Sequence, residues 1–336
     1  MTSRRAGDYQ NDLFGADSRL RLGTNHSLRF EAFGSSTRYP DELAEEFGQP
    51  RGDFDGHALR AAYDYTADRW AGYAWVQDVG RGFRADLGFV PQVDYTKAVA
   101  GLERIYRGDG DDFYNEVRVG GDVDEARDQS GELLEREVEV WWEYQGPLDS
   151  TATVLPGVRK RRFRGVEFDE TYLYLQGSVR PRPWLQTTIE AYAGDSIDFV
   201  NVRAGDTLQV DPSLSFELGR HVRLDVAHSF EKLDVAGGEL FRANLTRLAL
   251  RYQFDRRTQL RLISQYLDVQ RDPRLYLESV EAREERLAQQ LLFSWKLNPQ
   301  TVIFAGYSDL SLGNASIDLT RASRTFFLKL GYAWLP

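Results

Sequence analysis

Glu135, Glu137, Glu139 and Glu143 are the residues whose type and spacing come nearest to chemistry. All four are odd-numbered, so on a β-strand they share one face, with alternate residues about 7 Å apart. Two carboxylates separated by about 5–9 Å can serve as acid and nucleophile, or as acid and base, in cleaving a glycosidic bond. The same spacing belongs to any acidic wall that faces water, and that is the preferred reading. His26, His57, His221 and His228 lie far apart in the chain, and none shows the spacing of a metal site. Asp109, Asp111 and Asp112 offer hard oxygen ligands but lack the spacing of a calcium loop, so they are taken as a polar turn. No G-x-S-x-G, H-E-x-x-H or phosphate-cradling glycine loop occurs. The sequence therefore predicts no catalytic residue, no metal and no cofactor.

A strand is needed to hold the ladder, and its other face is apolar: Leu134, Val138, Val140, Trp142 and Tyr144 oppose the glutamates. This two-sided pattern recurs along the chain. In 324–336, Phe326, Leu328, Leu330, Tyr332 and Trp334 share one face, against Thr325, Phe327, Lys329, Gly331 and Ala333 on the other. Phe14, Ala16, Ser18, Leu20 and Leu22 oppose Gly15, Asp17, Arg19 and Arg21. Later, Leu248, Leu250, Tyr252 and Phe254 oppose Arg247, Arg251 and Gln253. Turn signals fall at 23–26, 67–69, 146–148, 219–220, 255–257 and 298–299. Longer polar stretches are expected as loops at 35–56, 79–94, 159–164, 196–205 and 270–285. The segment 79–94, with two glycines, a proline and aromatics, is expected either to fold over a barrel mouth or to be an ordinary connection. Residues 180–183 (RPRP) are expected to break a strand, since proline cannot donate to a ladder. Residues 279–290 have helical propensity, but their neighbours favour a loop followed by a strand.

The tally is about seventeen strands of about ten residues, the length a tilted strand needs to cross a bilayer. Mean hydropathy is −0.50, and no run approaches the roughly 18 apolar residues of a spanning helix. Aromatic residues reach 13 %, as expected where Tyr, Trp and Phe girdle two lipid–water interfaces. Cysteine is absent, which suits transit through an oxidising compartment. A net charge of −10 argues against a nucleic-acid partner. The expected fold is all-β: an antiparallel transmembrane β-barrel of about 16–18 strands, with short periplasmic turns and longer extracellular loops, in the outer membrane of a Gram-negative bacterium. It is expected as a single domain over 1–336. The odd tally, the abrupt start and the lack of an apolar leader after Met1 together predict a missing N-terminal portion.

Charge is segregated along the polar faces. Glu116, Asp122, Asp124, Glu135, Glu137, Glu139 and Glu143 form an expected acidic wall of the lumen. Arg223, Arg247, Arg251, Arg261, Lys296 and Lys329, on much later strands, form an expected basic wall opposite. Two arrangements are open: a transverse field that orients polar solutes, or charges that pair locally, with Arg118 beside the glutamates and Asp225 beside Arg223.

The segments GADSRLRL (15–22), GFRADLGFVPQVDY (82–95), QLRLISQY (259–266), LLFSWKLNPQTVIFAGY (291–307) and RTFFLKLGYAWLP (324–336) together resemble an uncharacterised family of bacterial outer-membrane proteins. Its full-length members carry a signal peptide, a family 9-type carbohydrate-binding module and then a C-terminal barrel. The resemblance covers nearly the whole chain, all of it within the barrel part. Such chains commonly end on an aromatic, whereas Leu335 and Pro336 follow Trp334 here. With no catalytic constellation in the sequence, the preferred reading is a non-enzymatic barrel: a pore for small polar or carbohydrate-like solutes, or the membrane anchor of the carbohydrate-binding module that the resemblance implies. A carbohydrate-cleaving outer-membrane enzyme and a soluble β-protein are the alternatives. The implied partners are outer-membrane lipid and lipopolysaccharide, carbohydrate and the barrel-assembly machinery.

Overall fold

The computed structural model describes residues 1–298 and 300–333. Eighteen strands are present among them. The first nine are β1 (Thr2–Ala6), β2 (Tyr9–Leu22), β3 (His26–Arg38), β4 (Asp53–Thr66), β5 (Trp70–Val79), β6 (Tyr95–Arg107), β7 (Glu116–Arg127), β8 (Leu133–Gly146) and β9 (Ser150–Phe163). The others are β10 (Val166–Arg182), β11 (Leu185–Asp198), β12 (Arg203–Leu218), β13 (Val222–Val235), β14 (Gly238–Gln253), β15 (Thr258–Arg271), β16 (Arg283–Asn298), β17 (Thr301–Asn314) and β18 (Thr320–Tyr332). One short helix, α1 (Asp41–Glu46), joins β3 to β4. All strands share one sheet, with neighbours in the order β1, β10 to β18, then β2 to β9, and with further pairings β1–β2 and β9–β10. Registered neighbours are antiparallel, as hairpin connections dictate.

The chain divides into two compact units. The first comprises Met1–Arg107, Val117–Trp142 and Pro156–Glu170, and the second Gly108–Glu116, Glu143–Leu155 and Thr171–Pro336. In the first, Phe30 pairs with Ala61, Ala61 with Val76, and Ala32 with Leu59, all on one face. Arg60, Ala62, Trp75, Gln77, Lys97 and Val99 line the other. In the second, Leu224, Leu250, Leu262 and Leu291 follow one another across four strands on the apolar face. That face is bare: Leu328 is 77 % exposed, Phe254 49 % and Trp295 43 %. Apolar surface this extensive is not left against water, and a belt of it with aromatics is what hydrocarbon covers in a membrane barrel. These three residues would have pointed into a packed interior in a soluble β-protein. Trp334, Leu335, Pro336 and Pro299 lie outside the described residues.

Several expectations are corrected. β1 adds a strand the tally missed. Residues 35–38 and 53–56 are strand, so the first long connection shrinks to 39–52. Residues 159–163 belong to β9, leaving only Arg164 and Gly165 as the turn. The 196–205 connection is reduced to 199–202. Pro181 does not end its strand; β10 runs through it with a register shift between Val179 and Arg182, the kind of irregularity where proline is tolerated. Over 279–290 the expected loop followed by a strand is found, with β16 starting at Arg283. The alternation of short and long connections is clear in the first unit, where 23–25 and 67–69 contrast with 39–52 and 80–94. It weakens in the second, because β13 and β14 are joined by only two residues, 236–237, at the end that carries the 272–282 loop.

Two polar faces as the candidate functional site

The acidic residues of the first unit fall on the polar face together with cations from strands before and after them. The Lys97 ammonium sits 3.2 Å from Asp124 and 3.3 Å from Glu135. Arg159 reaches Glu137 at 3.3 Å and Glu170 at 2.9 Å, and Arg161 reaches the other oxygen of Glu170 at 2.8 Å. Arg118 bonds Glu103, which also accepts from the Trp141 indole. The Tyr73 hydroxyl donates to Asp122. Glu170 is the most enclosed member, with 1 % of its side chain exposed. Two guanidinium groups clasping one carboxylate supply the charge-assisted hydrogen bonds that burial of an anion requires.

Asp124, Glu135 and Glu137 lie near enough to bring one oxygen each around a cation. The ammonium of Lys97 already stands between two of them and Arg159 reaches the third, so each member of the trio has a cation of the chain beside it. The carboxylates Asp109 and Asp112 accept from backbone N–H groups of their own turn, which accounts for that acidic cluster. Each histidine has a local partner: His26 with the Tyr63 hydroxyl, His57 with Asp78, His221 with the Gln253 carbonyl and His228 with the Thr246 hydroxyl.

The rest of the expected acidic wall is divided. Asp122, Asp124, Glu135, Glu137 and Glu139 belong to the first unit, and Glu116 and Glu143 to the second. All six residues of the expected basic wall belong to the second unit. Cross-strand register sets Arg223 opposite Arg251 and Arg251 opposite Arg261, a row of three guanidinium side chains on β13, β14 and β15. Arg247 lies four residues before Arg251 on the same face, opposite Gln265. Lys296 pairs with Val302 and Lys329 with Phe304, which continues the basic character over β16 and β18. Among the described residues Glu217 and Asp225 are the acids that bond at the row, both to Arg223; Asp225 also lies diagonal to Arg251 on the same face, close enough to feel its charge. Arg247, Arg251 and Arg261 have neither an ion pair nor a side-chain hydrogen bond among the described residues. Like charges directly opposite each other on a sheet destabilise it, so this row is not explained by folding.

Each unit also ties down a loop with a buried aspartate or its neighbours. In the first, Asp86 of the 80–94 loop accepts from the hydroxyls of Tyr9 and Tyr39, while its amide donates to Asn11. The Arg84 amide donates to Ser35, and its guanidinium bonds Gln49. Burial, with the Asp86 carboxylate beside it, pushes the Tyr39 phenol well above its ordinary value. In the second, buried Asp198 holds Asn201 and Arg203, and the Asn201 side chain accepts from the Leu277 amide of the 272–282 loop. Leu275 and Tyr276 of that loop cover a small apolar cluster of Leu233, Val235 and Leu240. Sequence pattern left 79–94 open between a structured loop and an ordinary connection, and its anchors Asn11 and Tyr39 carry no sequence signal of that role.

Glycines admit aromatic rings on the polar faces. A Cβ at Gly101 would stand 2.6 Å from the Tyr73 ring on the paired strand, and one at Gly306 would strike the Phe327 ring. The rings therefore lie down over bare backbone, the cross-strand device that compensates a glycine within a strand.

An antiparallel sheet of this length, with a bare apolar belt and a charged opposite face, defines the transmembrane β-barrel of Gram-negative outer membranes. No protein-family model matches the chain, and no curated protein matches it. Solved structures do. A ferric enterobactin receptor of Pseudomonas aeruginosa, in complex with enterobactin, matches over 98 % of this chain and 71 % of its own, at 9 % identity and a TM-score of 0.50. The siderophore receptor PirA of Acinetobacter baumannii matches over 98 % and 72 %, at 7 % identity and a TM-score of 0.47. OmpT, an outer membrane protein of Vibrio cholerae, matches over 99 % and 100 %, at 12 % identity and a TM-score of 0.37. At such identities the first of these speaks for the fold alone.

Proposed function

We propose that this outer-membrane barrel is non-enzymatic and passes small polar or carbohydrate-like solutes. The observation that carries this is that Arg247, Arg251 and Arg261, on the polar face of the second unit, make no ion pair among the described residues, while Arg223 beside them does. Guanidinium groups without acidic partners need water or a solute, and a polar face built to seal itself would pair them as the first unit does. The hydrolase alternative draws no support from the glutamate ladder, because Glu135 and Glu137 are both held in ion pairs. The resemblance to barrels that carry a family 9-type carbohydrate-binding module supports a second role, as the membrane anchor of such a module. Planar-bilayer recording on the refolded protein tests the first role. Stepwise ion currents are expected; a barrel that shifts on heating in gels yet conducts no ions would remove passage and leave the anchor.

A further inference from the structure

We propose that Arg223, Arg251 and Arg261, with Arg247 beside them, form a binding strip for anionic solutes that carry carboxylate, phosphate or sulfate groups. That the bound anion is a solute in transit rests on the passage reading above; the strip itself rests on its own geometry. Neighbouring strands are about 4.8 Å apart, so the outer two arginines of the row are separated by about 10 Å. An oxyanion placed between two adjacent side chains can take a forked pair of hydrogen bonds from each, which is the recognition for which guanidinium is suited and ammonium is not.

Local charge balance favours an anion. Arg223 is satisfied by Glu217 at 3.1 Å and Asp225 at 3.1 Å, and so closes one end of the row. Arg251 has an arginine directly opposite on each side and Asp225, already bonded to Arg223, on the diagonal, while Arg261 is next to Leu292 on β16. Arg247, Arg251 and Arg261 are all exposed. Glutamines Gln253, Gln259 and Gln265 occupy the same face of β14 and β15 and add neutral donors and acceptors without cancelling charge. The opposite face at these positions carries Leu224, Leu250 and Leu262, so the strip is turned away from lipid. Lipid headgroups are thereby disfavoured as the occupant, and a water-borne anion is the fitting one.

Calorimetric titration of the detergent-folded 336-residue chain with tripolyphosphate tests the strip, with maltotriose as the neutral control. Tripolyphosphate is expected to bind, maltotriose not to compete, and the Arg251→Gln/Arg261→Gln double variant to bind at least tenfold more weakly with a shallower dependence on salt. The variant's heat-modifiable migration in gels reports that it is folded. If it fails to fold, the Arg251→Lys/Arg261→Lys variant replaces it, and a loss of affinity with charge retained is then expected. Equal affinity in the wild type and the folded variant would overturn the strip, as would tripolyphosphate binding no tighter than maltotriose. Binding lost in the variant but without any bilayer current in the wild type would uphold the strip and remove the passage reading alone.

Discussion

The polar faces of the two units use the same residue types to opposite ends. In the first, acids outnumber bases, yet Lys97, Arg118, Arg159 and Arg161 are threaded among them so that the central carboxylates are engaged. In the second, three arginines stand side by side in register and only Arg223 is answered by acids. A face that closes on itself is a structural wall. A face that keeps charge in reserve is available to something else. The difference teaches that the number of charges says little about function; which ones lack a partner says more.

Four substitutions would break or sharpen this contrast. Glu170→Leu should have the largest effect, because it removes the enclosed carboxylate that Arg159 and Arg161 share; a loss of about 3 kcal/mol in unfolding free energy is expected from urea titration in detergent. A change below a tenth of that would mean the first unit's pairs are decorative. Lys97→Met leaves Asp124 and Glu135 side by side without their cation, and about 1–3 kcal/mol should be lost in the same measurement. Tyr39→Phe removes one hydrogen bond to Asp86, worth about 1 kcal/mol, and should make the 80–94 loop more readily cut by trypsin at Arg81 or Arg84. The Tyr39 phenol also gives a pH test. Its folded value is raised, so its contribution is complete below the unfolded value of about 10 and is lost as pH rises from there through the folded value. Loop cleavage should thus be flat from pH 6 to 9 and rise beyond 10. Arg251→Gln should have the smallest effect and the opposite sign: relieving two like-charge neighbours leaves stability unchanged or slightly higher. A clear destabilisation there would show the row to be part of the scaffold, and the contrast between the faces would collapse.

The strand faces were legible because side chains alternate with a period of two wherever one side meets lipid. That signal fades where strands outrun the hydrocarbon. Lys160 and Arg162, on the opposite face from Arg159 and Arg161, are also charged, paired with Glu167 or Asp169 and with Glu132. With both faces polar, 159–164 looked like a loop. The ends of β3 and β4 were hidden the same way. The face on which each charge stands could be read from sequence, since parity places residues on a face. Which charges neutralise which could not, because pairing depends on register between strands distant in sequence: Lys97 meets Glu135 across 38 positions. The row Arg223, Arg251 and Arg261 was similarly invisible as a row. Its members were known, but their alignment is a property of two hairpins.

The rings laid over Gly101 and Gly306 have a consequence for how the inner wall tolerates change. Tyr73 is at once the cover of Gly101 and the donor to Asp122. Adding a single methyl group at position 101 would tip the phenol off its seat and take its hydroxyl away from a carboxylate on another strand. The wall is kept thin by absent side chains, so the smallest residues in it set how far the largest ones intrude.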